Sequence, residues 1–348
     1  MRRGSAARLD LVPGLRLAYR AIGAGEGVAR LSKTPRYGPE DSSVTPRFVG
    51  VPTFARLPYV PTLEDVDLVV VGTPFDTGVT FRTGGRFGPN AVRAASVLLR
   101  RYNPNLDVMP FEVLSCVDYG DVPIVPGFID RSYEAIERTV APIVDAGVVP
   151  LLLGGDHSIT LGHLRGTRSL APVAVIMFDA HTDAWDQYYG ERYTHGTWMR
   201  RAIEEDLVDV DHSIEVGLRG SLYDPSDWTS LKDELGLDYV STTDVLEAGI
   251  SATVDRILER VGDRRAFISF DIDVIDPGFA PGTGTPEAGG LSSVQGLELV
   301  RGLRGIDLVG FDVVEVIPSY DPAGATATLA ANLAYEMVSL VALRRAQR

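Results

Sequence analysis

Two short segments of the sequence combine carboxylates and a histidine at spacings that suit a metal ion. The first, FDAHTD at residues 178–183, follows the apolar and β-branched run 172–177, which predicts a buried strand. In extended backbone, residues at i, i+2 and i+4 point to the same side. Asp179, His181 and Asp183 would therefore present two carboxylates and an imidazole together, a ligand set that suits a borderline or hard divalent ion.

The second segment repeats this arrangement in the later part of the chain. SFDID at residues 269–273 ends the apolar run that begins at 266 and again separates two carboxylates, Asp271 and Asp273, by two positions. A simple strand-end turn, in which aspartate is common, would explain either segment alone. The repetition favours a metal site.

Two further apolar runs also end in polar side chains. LLLGGDH at 151–157 places a histidine just past one strand, and GFDVVE at 310–315 places a glutamate at the end of another. In an open parallel sheet, the loops at the carboxyl ends of the strands converge on one crevice. Four strand ends would then bring together His157, Asp179, His181, Asp183, Asp271, Asp273 and Glu315.

So many carboxylates at one site cannot stay ionised without compensation, because like charges a few ångströms apart repel strongly. Two divalent cations would supply that compensation, and in a two-metal site they would lower the pKa of a bridging water and provide a nucleophile at neutral pH. The alternative is a hydrogen-bonded surface network without metal. Six ligand-type residues from three strand ends favour the metal site.

The composition is that of an ordinary α/β protein of 348 residues, with 45% hydrophobic and 23% charged residues. The formal net charge of −14 disfavours nucleic acid as a partner and suits a small cationic substrate. The single cysteine, Cys116, excludes an internal disulfide framework and a cysteine-based metal site. No apolar run approaches the roughly 20 residues of a membrane helix, so we expect a cytoplasmic protein without a membrane partner.

The N-terminal segment 1–62 differs from the rest of the chain because its first part is rich in basic residues. Before Glu40 only Asp10 and Glu26 oppose the basic residues Arg2, Arg3, Arg8, Arg16, Arg20, Arg30, Lys33 and Arg36. Arginine-rich, acid-poor starts are also typical of transit peptides. We interpret residues 1–62 as an arm that packs on its own subunit or on a neighbour.

Residues 63–348 alternate between strand and helix patterns, which predicts an α/β fold: one three-layer domain with an eight-stranded parallel sheet and helices on both faces. Several strands are continuously apolar, as strands covered on both faces should be. The predicted strands are 66–72, 112–117, 148–154, 173–179, 213–219, 237–241, 266–271 and 307–316. The predicted helices are 89–100, 131–146, 197–206, 243–261, 292–304 and 325–345.

The polar segments also resemble the metal motifs of a known family. GGDHS at 154–158, DAHTD at 179–183 and SFDIDVIDP at 269–277 are similar to the three metal motifs of the ureohydrolase (arginase/agmatinase) family. The likeness runs from GTPFD at 72–76 to the C-terminal helix. THGT at 194–197 and GTGTPE at 282–287 resemble the agmatinase branch most closely.

This resemblance implies an arginase-like fold and two manganese ions, with nickel or another divalent ion as an alternative. It also implies hydrolysis of a guanidino group to urea and an amine. His157, Asp179, Asp183 and Asp271 would hold one ion. His181 and Asp273 would hold the other together with Asp179 and Asp271, which would bridge the two. Asp183 would also accept a hydrogen bond from the bridging hydroxide and orient it.

The resemblance also implies the residues that handle the substrate. His195 would pass a proton to the leaving amine, for which a pKa near neutrality is suitable. Glu315 is flanked by apolar residues, and a guanidinium with paired N–H donors would be a suitable partner for its carboxylate. Thr285 also falls on a family position near the guanidino group. His163 and His212 match no motif and are interpreted as structural.

The sequence departs from the family pattern in two places. Trp198 and Met199 follow the His-Gly-Thr motif where agmatinases often have Pro-Phe, and the N-terminal arm is longer than in short bacterial members. Both lie where substrate shape or subunit contacts could differ, so substrate specificity is left open. The resemblance further implies a homo-oligomer, a trimer or a hexamer.

Agmatine is the expected substrate because the segment 184–193, which we interpret as the mouth of the pocket, carries Asp186 and Glu191 against Arg192. The alternatives with the same mechanism are 4-guanidinobutyrate, 3-guanidinopropionate and free guanidine, since an arginine of the 82–86 segment could bind a carboxylate. Two other classes of function also fit in part: a non-catalytic metal-binding sensor of guanidino or polyamine ligands, and a deacetylase with one zinc ion. The full set of ligands together with His195 and Glu315 disfavours the first. The deacetylase is disfavoured by Asp271 and Asp273, which together with His157 indicate ligands for a second ion.

Overall fold

A single sheet of eight parallel strands forms the centre of the molecule in the computed structural model, which describes residues 34–347. The strand order across the sheet is β2-β1-β3-β8-β7-β4-β5-β6. The strands are β1 (Leu68–Thr73), β2 (Cys116–Asp121), β3 (Val149–Gly154), β4 (Ala174–Phe178), β5 (Ile214–Leu218), β6 (Asp238–Ser241), β7 (Arg265–Asp271) and β8 (Asp307–Val314). The predicted eight-stranded parallel sheet is therefore confirmed.

Helices cover both faces of this sheet, which confirms the three-layer arrangement. They are α1 (Gly88–Ser96), α2 (Pro110–Val113), α3 (Ile129–Asp145), α4 (Ile159–Gly166), α5 (Trp198–Glu204), α6 (Ser226–Leu235), α7 (Thr242–Ala248), α8 (Ile250–Val261), α9 (Ser293–Gly302) and α10 (Ala325–Ala346). Residues of α1, α8, α9 and α10 share one apolar cluster with the sheet. Residues of α3, α4 and α5 pack against the opposite face.

The alternation of side chains along each strand divides the core between these two layers. In β1, Leu68 and Val70 pack toward α1 and α10, whereas Val69 and Val71 pack toward α3. All four side chains are fully buried. This two-sided burial explains why the strands read as continuously apolar in sequence.

Local chemistry explains the places where the elements differ from the predicted bounds. The second strand begins at Cys116 rather than Glu112, because Pro110 opens the short helix α2 and a proline is readily accepted at a first helical position. The predicted helix 243–261 is two helices, since Gly249 adopts φ +84° between α7 and α8. Helices α2, α4 and α6 were not predicted.

The described part of the predicted N-terminal arm packs against the domain. Residues 34–347 belong to one compact unit. Phe54 is fully buried in the core, and its backbone N–H donates to Asp118 Oδ2 at 2.9 Å. The basic residues at positions 2–33 lie outside the described residues. The arm boundary at residue 62 stays a prediction.

Helix α10 is long and apolar enough to cross a membrane by length and composition, with a mean hydropathy of 1.3. However, 78% of its apolar window is buried inside the domain. It contacts α1, α2, α9 and β8. The helix therefore has the environment of a core helix. The sequence analysis predicted a helix at residues 325–345 but did not predict its burial.

Candidate metal centre and active site

The four strands whose ends carry the predicted site residues are consecutive in the sheet, in the order β3-β8-β7-β4. Their carboxyl ends therefore lie side by side at one edge. His157 follows β3, Glu315 follows β8, Asp271 ends β7, and Asp179 follows β4 directly. These strands are third, eighth, seventh and fourth in sequence, so crossover connections are needed to make them neighbours.

A close backbone approach at one position and unusual backbone conformations at two others shape this edge. A Cβ on Gly155 would lie 2.1 Å from the carbonyl oxygen of Phe75, so only glycine lets β3 turn here into the His157 segment. Asp183 and Glu315 adopt φ +46° and +62°, a left-handed region that residues with a side chain rarely enter. Such strained residues are concentrated at functional sites.

The first group of ligand atoms surrounds His157. Its Nδ1 lies 2.9 Å from Asp179 Oδ2, 3.0 Å from Asp183 Oδ2 and 3.1 Å from Asp271 Oδ2. The four side chains are buried. His157, Asp179 and Asp271 have the spacing of a metal site.

The second group shares Asp179 with the first. His181 Nδ1 lies 3.4 Å from Asp179 Oδ1 and 3.1 Å from Asp273 Oδ2. Asp179 thus faces both groups, and its Oδ1 also accepts the backbone N–H of His181 at 2.6 Å. The bridging role of Asp179 stays a prediction. Asp271 offers Oδ2 to the first group, whereas its Oδ1 accepts the backbone N–H of Asp273 at 2.8 Å. The bridging role of Asp271 stays a prediction.

The charges in these two groups call for additional positive charge. Burial opposes a proton on His157, but its close contacts with the carboxylates of Asp179, Asp183 and Asp271 outweigh burial and raise its pKa well above the ordinary value. Burial, followed by repulsion from Asp273 and Asp179, raises the pKa of Asp271 well above its ordinary value. His157 Nδ1 and Asp179 Oδ2 have no hydrogen-bond partner among the described residues. Oxygen and nitrogen donors in this state fit divalent cations, which would replace the retained protons.

His195 and Glu315 form a buried pair beside the two groups. Glu315 Oε1 accepts the backbone N–H of His157 at 2.9 Å and the Nδ1–H of His195 at 3.1 Å. Glu315 Oε2 is buried and has no partner among the described residues. Burial lowers the pKa of His195, but the hydrogen bond and attraction to Glu315 prevail and raise the pKa to about 9.

The loop before α1 positions the ring of His195 on its other side. Thr80 N–H lies 3.1 Å from His195 Nε2, and Thr80 Oγ1 lies 2.8 Å from the same atom. A neutral ring accepts the amide proton at Nε2, whereas a charged ring donates its proton to the hydroxyl. Gly78 O also accepts the backbone N–H of His195 at 2.9 Å. His195 is therefore held in both protonation states, which suits a residue that transfers a proton.

A cavity of about 390 Å³ opens onto His181, Asp183 and His195. Thr285 lines it and donates from Oγ1 to Asp273 Oδ2 at 3.4 Å. Its lining also includes the aromatic residues Phe81, Trp185, Tyr188 and Tyr223, and Glu287, whose Oε1 lies 3.9 Å from His181 Nε2. The sequence analysis missed Thr80, Tyr223 and Glu287. For Glu287 the quoted GTGTPE motif was an available signal.

Two interpretations of the region around His195 need correction. Trp198, which was expected where substrate shape or subunit contacts could differ, does not line the cavity: it is fully buried, its ring centroid lies 4.9 Å from that of His157, and its Nε1–H donates to Asp183 Oδ2 at 3.0 Å. Asp186 does not line the cavity, because its Oδ1 accepts Arg201 Nη2–H at 2.7 Å. Glu191 is also absent from the cavity lining.

The comparison with known proteins agrees with this geometry. The sequence profile of the arginase family matches residues 66–339. The guanidinopropionase of Pseudomonas aeruginosa is 43% identical over 305 residues, which cover 87% of this chain and 96% of that protein. The chain belongs to the arginase family. The mitochondrial agmatinase of Gallus gallus is another similar protein, 41% identical over 304 residues that cover 87% of this chain and 89% of that one.

A solved structure shows the same arginase-family fold. Proclavaminate amidino hydrolase from Streptomyces clavuligerus superposes with a TM-score of 0.81 at 38% identity, covering 86% of this chain and 100% of that chain. The predicted ureohydrolase resemblance, the fold class and the assignment as a hydrolase acting on a guanidino compound are confirmed by these matches.

Proposed function

We propose that this arginase-family hydrolase converts agmatine to putrescine and urea at a site that holds two Mn²⁺ ions. The observation that carries the guanidino chemistry is the buried Oε2 of Glu315 beside the ligand groups, which has no partner within residues 34–347. A buried carboxylate oxygen without a partner is costly, and a guanidinium N–H would satisfy it with a charge-assisted hydrogen bond. Manganese is proposed because the donors are carboxylates and imidazoles.

The proposed reaction uses the chain's residues in fixed roles. Bound divalent ions would lower the pKa of a water molecule and so supply the nucleophile at neutral pH. Asp183 orients that water, and Glu315 holds the guanidinium so that its carbon faces the water. The carbon–oxygen bond forms, the bond from carbon to the alkyl-bearing nitrogen breaks, and His195 gives its proton to that nitrogen. Thr285 binds the guanidino end beside Asp273.

The preference for a cationic tail is supported by the charge of the cavity. Glu287 lines the cavity, and within residues 34–347 no lysine or arginine does. The rings of Trp185 and Tyr188 lie edge to face with centroids 5.1 Å apart, and Tyr223 lies 6.3 Å from Tyr188. These rings can cover an alkyl chain or face an ammonium group.

A guanidino acid is the second candidate, and two observations favour it. The chain resembles the guanidinopropionase of Pseudomonas aeruginosa at 43% identity. In addition, the Arg82 guanidinium lies 5.5 Å from the ring of Phe81, which lines the cavity. Arg82 nevertheless has other partners, which weakens its case as a carboxylate-binding residue: its guanidinium lies 4.5 Å from the Tyr320 ring, and its Nη1 is 3.4 Å from Thr283 O.

One experiment separates these candidates. Purified protein with Mn²⁺ would be assayed for urea release from agmatine, 4-guanidinobutyrate, 3-guanidinopropionate, arginine and guanidine. We expect the highest kcat/KM for agmatine. Glu287→Gln should lower kcat/KM for agmatine more than that for guanidine, which has no tail, and metal analysis of the variant would check that the nearby His181 site is intact. A guanidino acid or bare guanidine preferred by more than tenfold would remove the agmatine assignment and keep the amidinohydrolase one.

We further propose that the protein is a cytoplasmic homo-oligomer, a trimer or a hexamer, without nucleic-acid or membrane partners. Exposed apolar side chains near the start of the described chain support self-association, since Val44, Phe48 and Val51 are 80%, 89% and 82% exposed. The net charge of −14 disfavours nucleic acid. Light scattering during size-exclusion chromatography would measure the assembly, and a monomer would contradict this proposal.

A further inference from the structure

A chain of buried hydrogen bonds leads from the candidate metal centre into the core beneath it. Since Nδ1 of His157 faces three carboxylates, its other ring nitrogen points away from them. That nitrogen, Nε2, lies 2.8 Å from Ser269 Oγ, and Ser269 Oγ–H donates to Asp312 Oδ1 at 2.6 Å. All three side chains are fully buried.

Asp312 is the anion at the centre of this chain, and its second oxygen is occupied as well. Asp312 Oδ2 accepts from Thr160 Oγ1 at 3.1 Å and from His163 Nδ1 at 3.1 Å. A carboxylate only accepts, so the proton of the His163 contact resides on Nδ1. Three donors converge on Asp312, which is how a buried carboxylate without a neighbouring cation is made tolerable.

His163 occupies the far end and is held there by packing. It lies on α4, its ring is edge to face with Phe267 at 4.6 Å between centroids, and it is fully buried. Its Nε2 has no partner among the described residues. A buried ring nitrogen without a hydrogen-bond partner destabilises the fold, so an apolar residue would fill this position better than histidine. The contact with Asp312 therefore explains the presence of His163 better than packing does.

We propose that His163 and Asp312 are positioning residues for the metal centre, which act on His157 through Ser269. The chain fixes the direction in which Nε2–H points, and thereby directs the lone pair of Nδ1 at the site shared with Asp179 and Asp183. It also makes His157 a more basic ligand, as carboxylate contacts to metal-binding histidines do elsewhere. The inference rests on the proposed two-metal function and concerns how one of the two ion sites is held.

The test measures Mn²⁺ binding to metal-free protein by calorimetry, because metal affinity reports on the ligand ring independently of turnover. Ser269→Ala and Asp312→Asn should weaken one of the two ion sites by about 10- to 100-fold and leave the other unchanged. Turnover should recover when Mn²⁺ saturates the weakened site. His163→Leu should weaken the same site, and His163→Gln, which retains a donor for Asp312, should weaken it less.

Ser339→Ala is the matched control. It removes another fully buried serine hydroxyl, on α10, whose hydrogen bonds are with Asn103 and Tyr335 and not with the residues from His157 to His163 described above. It should lower thermal stability to a similar extent without changing Mn²⁺ affinity. Wild-type affinity at both sites in Ser269→Ala and Asp312→Asn would overturn the proposal. A selective weakening of the same site by Ser339→Ala, equal to that caused by Ser269→Ala, would also overturn it. A wild-type protein that binds no Mn²⁺ would instead overturn the two-metal function itself.

Discussion

At the scale of single residues, Asp179 is the most informative position because it offers one oxygen to each ligand group. Its Oδ2 faces His157 at 2.9 Å and its Oδ1 faces His181 at 3.4 Å. Asparagine keeps the shape but removes the charge. We therefore expect Asp179→Asn to lose both metal ions and activity, as measured by elemental analysis and urea release. Near-normal turnover would refute the two-metal interpretation.

Glu315 allows metal binding to be separated from substrate binding. It contacts the backbone of His157 and the ring of His195, and it belongs to neither ligand group. Glu315→Gln should weaken substrate binding and catalysis without changing metal content, because glutamine is similar in shape but uncharged. Kinetics with agmatine and metal analysis on the same preparation would check this. A metal-depleted variant would assign Glu315 to the metal site or the fold.

His195 should act through its proton, so its removal is expected to slow turnover and not to remove metal. His195→Asn should retain metal and lose about 10²- to 10⁴-fold in kcat, the range typical of general acid–base groups. Thr80, which contacts Nε2, offers a milder comparison, since Thr80→Val removes the hydroxyl and keeps the backbone N–H. A wild-type kcat in His195→Asn would exclude it from the reaction.

The same histidine predicts a pH dependence of stability in metal-free protein. Its pKa is raised from the ordinary 6.5 to about 9, chiefly by Glu315 acting against burial. A group with a raised folded-state pKa stabilises the fold fully below its unfolded pKa and loses that contribution as pH rises through the folded value. The difference in unfolding free energy between wild type and His195→Asn should therefore shrink between pH 6.5 and 9. Urea denaturation across this range measures it.

At the scale of elements, the turn after β3 determines where His157 lies. Gly155→Ala would place a Cβ 2.1 Å from Phe75 O and 2.6 Å from Thr73 O, both backbone atoms that cannot rotate away. We expect a loss of about 3 kcal/mol of stability, at the upper end of overpacking effects, together with weaker Mn²⁺ binding. Thermal unfolding and metal titration would measure both.

Gly38→Ala is the matched control for this turn. Its new Cβ would lie 3.7 Å from Phe111 O, an ordinary contact distance, and Gly38 has no positive φ. It should change stability by less than about 0.5 kcal/mol, as surface substitutions usually do. Equal effects of the two substitutions would show that the close approach at Gly155 is tolerated.

At the scale of the whole molecule, metal ions should contribute to the stability of the fold. The ligands come from the ends of β3, β4 and β7, so ions bound between them would connect separate parts of the sheet edge. A ligand that binds only the folded state adds about 2.7 kcal/mol at a hundredfold excess over its dissociation constant. We expect chelation to abolish activity and lower the Tm, and added Mn²⁺ to restore both. An unchanged Tm with full metal loss would contradict this expectation.

Local physical chemistry let the sequence determine most of the fold and the ligand types. Continuously apolar runs such as 151–153 predict strands buried on both faces. All eight predicted strands have a counterpart in the sheet, although the second begins at Cys116 rather than Glu112. The polar residues at their ends were predictable because parallel strands place their carboxyl ends at one edge. Asp179, His181 and Asp183 do meet at this edge, but not through the predicted extended spacing, because β4 ends at Phe178 and Asp183 adopts φ +46°.

Only the tertiary structure decided which strand ends are neighbours and which side chains face the cavity. The order β3-β8-β7-β4 depends on crossover connections, which no local pattern encodes. Asp186 and Glu287 are both acidic residues, and the sequence alone does not show which of them lines the cavity. In the structure Asp186 pairs with Arg201, whereas Glu287 lines the cavity. His163 likewise gains its partner, Asp312 on β8, from a position 149 residues away in the chain. Long-range packing sets these contacts, because a side chain's partner depends on where the distant strand or helix lies rather than on its own sequence neighbours.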